Sequence, residues 1–238
     1  MSKKKTTEEL FDGENFNFKV SHKLKLTEKQ KHILKVAHDP ATKMIILNGV
    51  PGTGKTLASM LIALEKLRDK QVDGITAFRS TVQSQDGATG FLPGEISDKL
   101  KYMAGPFYQK IDELVKPDEA KTIKTKLFDL LPTSFVRSYS FRNECLILSE
   151  AQNCFESTIQ DVACRAGEGS FVIIEGDTLM QKDIGVRSGF EKFYKMFDDR
   201  ESYENGISCF TLDETDIVRS DLTQYIVTKI LRSRKFHE

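Results

Sequence analysis

Residues 44–56 read MIILNGVPGTGKT, and the fold is decided there. The run 44–48 is short, mainly apolar and stops just before a glycine, the pattern of a strand buried on both faces. Gly49-Val50-Pro51-Gly52-Thr53-Gly54-Lys55-Thr56 then satisfies G-x-x-x-x-G-K-[ST]. Behind it Leu57, Met60, Leu61 and Leu64 recur at helical spacing. Strand, glycine turn and helix in that order give the pattern its meaning. Glycines let the loop wind so that successive backbone N–H groups converge on a phosphate, and the helix N-terminus adds the positive end of its dipole. Lys55 is expected to reach the β- and γ-phosphates of a nucleotide, and the Thr56 hydroxyl to ligate Mg²⁺. All eight residues form the expected nucleotide-binding set. Because such a loop touches only phosphates, it leaves the base open.

Outward from the loop, the same alternation repeats. Buried strands are expected at 75–78, 134–136, 145–148, 171–174 and 209–212, and helices at 156–166 and 190–197. Upstream, LKLTEKQKHILKVA places apolar residues at helical spacing with Thr27 as N-cap, predicting an amphipathic helix before the first strand. Residues 109–131, rich in lysine and acid around Ile111, Leu114, Ile123, Leu127 and Leu130, predict two peripheral helices broken near Pro117, a helical insertion on the core. The expected class is α/β, a mostly parallel sheet with helices on both faces. Residues 1–20 are expected as a flexible leader, because 1–17 are polar with few core formers, and 21–238 as a single domain.

Bulk numbers set limits. A chain of 238 residues, 39% hydrophobic and 29% charged, can bury one substantial core but not two full α/β domains. Lysine plus arginine (35) equals aspartate plus glutamate (35), so any nucleic-acid surface has to be local. Cys145, Cys154, Cys164 and Cys209 show neither CxxC nor CxxH spacing, and four scattered histidines offer no metal cluster, so reduced thiols and no zinc site are expected. With no apolar run of signal-peptide or membrane-spanning length, a cytoplasmic protein without membrane partners is expected.

Hydrolysis requires a carboxylate near the metal and a residue that orients water. Cys145-Leu146-Ile147-Leu148-Ser149-Glu150 is an apolar strand ending in an acidic position, the Walker B arrangement, with serine as the first of the usual acidic pair. Glu150 is expected to polarise the attacking water. Ser149 is the expected metal-side residue, able to hold a metal-bound water without supplying charge.

Several separated motifs together resemble the PhoH-like ATPases, especially the short forms carried by bacteriophages, over about residues 26–231. Phe78-Arg79-Ser80-Thr81-Val82, Gly90-Phe91-Leu92-Pro93-Gly94 and Gly105-Pro106-Phe107-Tyr108 are similar to the family's arginine strand, GFLPG signature and aromatic proline turn. Thr133-Ser134-Phe135-Val136-Arg137 resembles the strand before Walker B. Ser149-Glu150-Ala151-Gln152-Asn153 resembles D-E-A-Q-N, with serine for aspartate. Gly176-Asp177 with Gln181 and Asp183 resembles G-D-x-x-Q-x-D with one extra residue before Gln181, and Leu179 stands where a charged residue is more usual. Asp216-Ile217-Val218-Arg219 resembles D-[IV]-V-R.

The resemblance implies a RecA-like P-loop core related to superfamily-one helicases, ATP as ligand with Mg²⁺, and ATP hydrolysis coupled to single-stranded RNA or DNA. It implies assembly into homo-oligomeric rings, a hexamer among the sizes, in the bacterial host cytoplasm if phage-encoded. Lys55, Glu150, the γ-phosphate sensor Gln181, and Arg219 acting across a subunit boundary become the expected catalytic set, and Gln30 the glutamine that reads adenine. Arg79 and Arg137, at predicted strand ends, are candidates for phosphate or nucleic acid, and Phe91, Phe107 and Tyr108 for base stacking. Ser149 and the altered spacing favour binding over turnover. The alternative is therefore a nucleotide-binding switch or structural module with little hydrolysis.

Overall fold

Met44–Gly49 forms β1 because its alternating Ile45, Ile46 and Leu47 find apolar partners on both sides, and all three are fully buried. A computed structural model describes residues 16–21, 25–80, 96–180, 184 and 187–235, the side chains of 96–101, 234 and 235 excepted. In chain order the elements are α1 (Glu28–Ala37), β1, α2 (Lys55–Arg68), β2 (Gly74–Arg79), α3 (Ile96–Leu114), α4 (Pro117–Thr122), β3 (Phe128–Pro132) and β4 (Glu144–Ser149). There follow α5 (Glu156–Cys164), β5 (Phe171–Gly176), α6 (Phe190–Phe197), α7 (Arg200–Glu204), β6 (Ile207–Leu212) and α8 (Asp221–Lys235).

The six strands form one parallel sheet in the order β3-β2-β4-β5-β1-β6. Two apolar clusters cover its faces. One joins Ile45, Leu47, Ile147 and Ile173 to α1, α2, α3 and α4; the other joins Ile46, Leu148 and Ile174 to α5 and α6. This is the predicted α/β class, a RecA-like P-loop fold. The strand carrying the phosphate loop and the strand ending at Glu150 are not neighbours, since β5 lies between them.

Sequence reading and structure part company in four places. Residues 134–136 are not a strand: Thr133–Ser138 is a 3₁₀ helix, and the strand is the preceding β3. Phe128 and Leu130 continue the helical spacing of Ile123 and Leu127, which concealed an edge strand that ends at Pro132, where a missing N–H is tolerated. The segment 109–131 is therefore not all helix, and what is helical is not peripheral. Phe107, Ile111, Leu114 and Ile123 are fully buried, each worth roughly 1.5–3 kcal/mol, so the crossover from β2 to β3 is part of the core. Of the expected leader, residues 1–15 lie outside the described residues, but Phe18 and Val20 are buried in that same core and Ser21 N–H donates to Leu114 O at 2.6 Å. Helix α8 was not anticipated.

The cysteines are free; Cys145 and Cys154 are buried and Cys164 is exposed. Burial pushes the Cys145 and Cys154 thiols up to about 12, so both are inert at neutral pH. No described helix is long and apolar enough to cross a membrane.

Candidate nucleotide site at the sheet edge

The loop between β1 and α2 is wound, not extended. Gly52 and Gly54 have φ of +88° and +78°, which only glycine adopts without strain. A Cβ on Gly54 would also lie 2.7 Å from Gln30 Nε2. The fully buried Thr53 closes the turn internally, its Oγ1 donating to Val50 O at 2.8 Å. Lys55 Nζ folds back over this turn and donates to Gly49 O at 2.6 Å and Val50 O at 3.2 Å. Burial pushes its ammonium below the ordinary lysine range, opposed by the charges of Glu175, Asp177 and Glu150. Glu175 lies on β5, Asp177 in the turn after it and Glu150 directly after β4, so the lysine lies at the edge where the acidic residues converge.

Glu150 directly follows β4 and takes a left-handed backbone, φ 57° and ψ 42°. Non-glycine residues reach that region at a cost, which turns the chain sharply as the strand ends. Its Oε2 accepts from Gln152 Nε2, and Arg79 Nη2 stands 4.0 Å from its Oε1. Gln152 in turn accepts from Asp177 N–H at 3.0 Å, tying the ends of β4 and β5 together. Asp177 Oδ1 accepts the N–H groups of Leu179 and Met180, while Oδ2 is buried without a hydrogen-bond partner. Gln181 lies outside the described residues, as does Phe91 with the rest of GFLPG.

Ser149 is buried and its hydroxyl donates to Glu175 Oε1 at 2.7 Å. Thr56 Oγ1 donates to the same oxygen at 2.9 Å, and Ser59 Oγ to Oε2 at 2.8 Å. Glu175 was absent from the residues expected at the site. A visible signal existed: FVIIEG interrupts a buried apolar strand with a charge two residues before Asp177. Burial raises the Glu175 carboxyl above its ordinary range, against the bonds from Ser149 and Ser59, the Lys55 charge and the Thr56 bond. Hydroxyl and carboxylate oxygens are the hard donors that Mg²⁺ prefers, so the residues present fit that ion. Thr56 and Glu175 would hold it, with Ser149 alongside.

Gln30 is buried against the loop. Its Nε2 donates to Thr53 O at 2.9 Å, while its Oε1 accepts from Thr27 N–H and Thr27 Oγ1 accepts from Gln30 N–H, a capping box that fixes the start of α1. Arg219 is exposed, and its segment packs on the loop of its own chain. Val218 N–H donates to Gly52 O at 3.1 Å, and a Cβ on Gly52 would lie 3.6 Å from Arg219 Cβ. Asp213 and Asp216 pair with Lys29, at 2.6 and 2.8 Å.

The other candidates are committed elsewhere. Arg79 stays near Glu150, whereas Arg137 pairs with Asp161 at 2.7 Å. Phe107 is fully buried against Phe128 and presents no face for stacking, whereas Tyr108 is half-buried and meets the same ring edge-on.

The fold and the wound loop define a protein of the P-loop nucleotide-binding class with a RecA-like parallel sheet. The chain belongs to the PhoH-like family: the model described as PhoH-like protein matches residues 24–230. It is 33% identical over 205 residues to Protein PhoH of Escherichia coli K12, covering 83% of this chain and 55% of that protein. A PhoH-like protein of Bacillus subtilis is 30% identical over 182 residues, with 75% and 55% covered. The chain thus spans about half the length of these relatives. Among solved structures, the Candida albicans Pif1 helicase aligns at 18% identity and a TM-score of 0.38, over 80% of this chain and 40% of that one. The Sulfolobus solfataricus SWI2/SNF2 ATPase core in complex with dsDNA aligns at 12% identity and 0.45, over 79% and 45%.

Proposed function

We propose that this protein binds ATP with Mg²⁺ and hydrolyses it. The observation that carries the proposal is the convergence of Lys55, Thr56, Glu150, Glu175 and Asp177 on one edge of the sheet. Loop amides and Lys55 bind the β- and γ-phosphates; on phosphate binding, Lys55 exchanges the carbonyls of Gly49 and Val50 for anionic oxygens. Bound Mg²⁺ supplies further positive charge to those oxygens. Glu150, held by Gln152, orients water at the γ-phosphate, and its partial exposure leaves it reachable by solvent. Gln181 reports the γ-phosphate. Gln30 senses the base by exchanging one of its present amide partners, Thr53 O or Thr27 N–H, and Arg219 supplies charge from above the loop or from a neighbouring subunit.

Coupling to single-stranded RNA or DNA rests on family likeness, and a single RecA-like lobe needs partners to translocate. A strip of exposed apolar residues, Val218, Leu222, Tyr225 and Ile226, lies close to the loop and suits a homo-oligomeric contact. A second reading, favoured by Ser149, is a nucleotide-binding switch that does not hydrolyse. Steady-state ATP turnover beside equilibrium binding separates the two, with and without single-stranded RNA or DNA and with mass measured in solution. Turnover that disappears in Glu150→Gln while binding persists supports the ATPase; tight binding with background turnover in the unaltered chain supports the switch.

A further inference from the structure

Glu175 is an acidic residue near the C-terminal end of an otherwise apolar strand, 2% exposed, and among the described residues it forms no ion pair. Burying a carboxylate is costly unless something compensates it. Here three hydroxyls do so in part, and each comes from a different place: Thr56 from the phosphate loop, Ser59 from the next turn of α2, Ser149 from the end of β4. Such a polar cluster contributes little to packing, since the rest of that face between helix and sheet is an apolar core.

The sheet register explains the arrangement. In the parallel pairing, Glu175 stands beside Leu47 of β1, and Leu148 of β4 stands beside Ile174, so Ser149 and Glu175 lie at the same level and on the same face. Ser149 occupies the strand end where an acidic residue was expected, and the acid stands one strand nearer the phosphate loop. Adjacent strands are about 4.8 Å apart. A carboxylate on β5 reaches the Thr56 hydroxyl directly, as the 2.9 Å contact shows.

Resting on the ATPase reading above, we propose that the acidic residue serving Mg²⁺ has moved between strands: Glu175 of β5 holds the ion with Thr56, and Ser149 is a positioning residue that aims the Glu175 carboxylate. The serine in the Walker B segment is then one half of an exchange and not a sign of lost chemistry.

The test uses the full chain and reads metal binding apart from turnover. Affinity for a fluorescent ADP is measured in Mg²⁺ and in EDTA, and Mn²⁺ uptake by the protein–ADP complex is followed by electron paramagnetic resonance. The unaltered chain is expected to bind ADP more tightly in Mg²⁺. Glu175→Gln should keep its EDTA affinity, lose tenfold or more of the Mg²⁺ enhancement, and fail to take up Mn²⁺. The double variant Ser149→Asp/Glu175→Thr should regain both responses, and it carries the test if Glu175→Gln does not fold. Ser149→Ala should weaken the enhancement only a few-fold. Undiminished Mg²⁺ enhancement and Mn²⁺ uptake in Glu175→Gln, or a folded double variant without either, would overturn the proposal while leaving the nucleotide site standing. An unaltered chain that binds no ADP in either condition overturns the ATPase reading itself.

Discussion

Lys55 and Glu150 are neighbours in space but do different work, and their substitutions should separate. Lys55 is half-buried with its ammonium on the carbonyls of Gly49 and Val50. Lys55→Ala removes a largely desolvated charge that meets phosphate, a change worth roughly 2–5 kcal/mol, or about thirtyfold and upward in affinity. Far-ultraviolet circular dichroism should be unchanged, because no ion pair is lost; unaltered ATP affinity would refute the site. Glu150→Gln keeps the side chain's shape and its place beside Gln152, so nucleotide affinity should hold while turnover falls roughly 10²–10⁴-fold. The position of both at the sheet edge was legible in the sequence because their motifs state spacing and chemistry together. Glu175 was not: a lone acid in an apolar run acquires meaning only when parallel register sets it beside Ser149 and opposite Thr56. Phe107 failed in the other direction, its aromatic character being equally suited to a core.

Elements were read best where local chemistry is decisive. Thr27 caps α1 as expected, and the helix runs Glu28–Ala37. Helix α1 is also tied to the segment after β6 by Lys29, whose hydrogen bond leads the forces that hold the Asp213 carboxyl down from 3.8 to about 2. The unfolded chain therefore takes up this proton first. The clasp's contribution is complete above about pH 4 and fades as pH falls toward 2, within the ~0–1 kcal/mol of an exposed pair. Lys29→Met should accordingly lower the Tm slightly at neutral pH, and the difference from the unaltered chain should close on acidification. Gly189, before α6, presents a sharper case. A Cβ there would lie 2.1 Å from the Glu156 backbone nitrogen at the start of α5. Gly189→Ala should cost about 1–3 kcal/mol by overpacking, a drop of several degrees in Tm. ADP affinity is expected to change little, since the clash falls on the start of α5 and not on the phosphate loop. Close approaches of this sort, like the edge strand β3, depend on which elements meet, and spacing along the chain does not reveal that.

For the whole molecule, the parallel sheet and its two-sided covering followed from alternation, whereas the strand order did not, and the crossover 96–127 looked like an addition because its charged exterior is more conspicuous than its buried stripe. One measurement joins fold to function at this scale. A ligand at a hundred times its Kd stabilises the native state by about 2.7 kcal/mol, which for a domain this size raises Tm by roughly 5–10 °C. Mg²⁺-ATP should do so for the unaltered chain and not for Lys55→Ala; no shift in a calorimetric scan of the unaltered chain would count against nucleotide binding.

The hydrogen bond from Val218 to the carbonyl of Gly52 joins the phosphate loop to the segment leading into the last helix. It engages an oxygen and so does not consume the amides that face an anion. Tension or torsion applied to the carboxyl-terminal helix would reach the curvature of the cradle through this peptide group and the side chains of Ile217 and Thr223 beside Gly52. If the loop binds nucleotide as proposed, a tag, a truncation or a docking partner at that end is expected to change its affinity, although it lies far along the chain from the glycines of the loop.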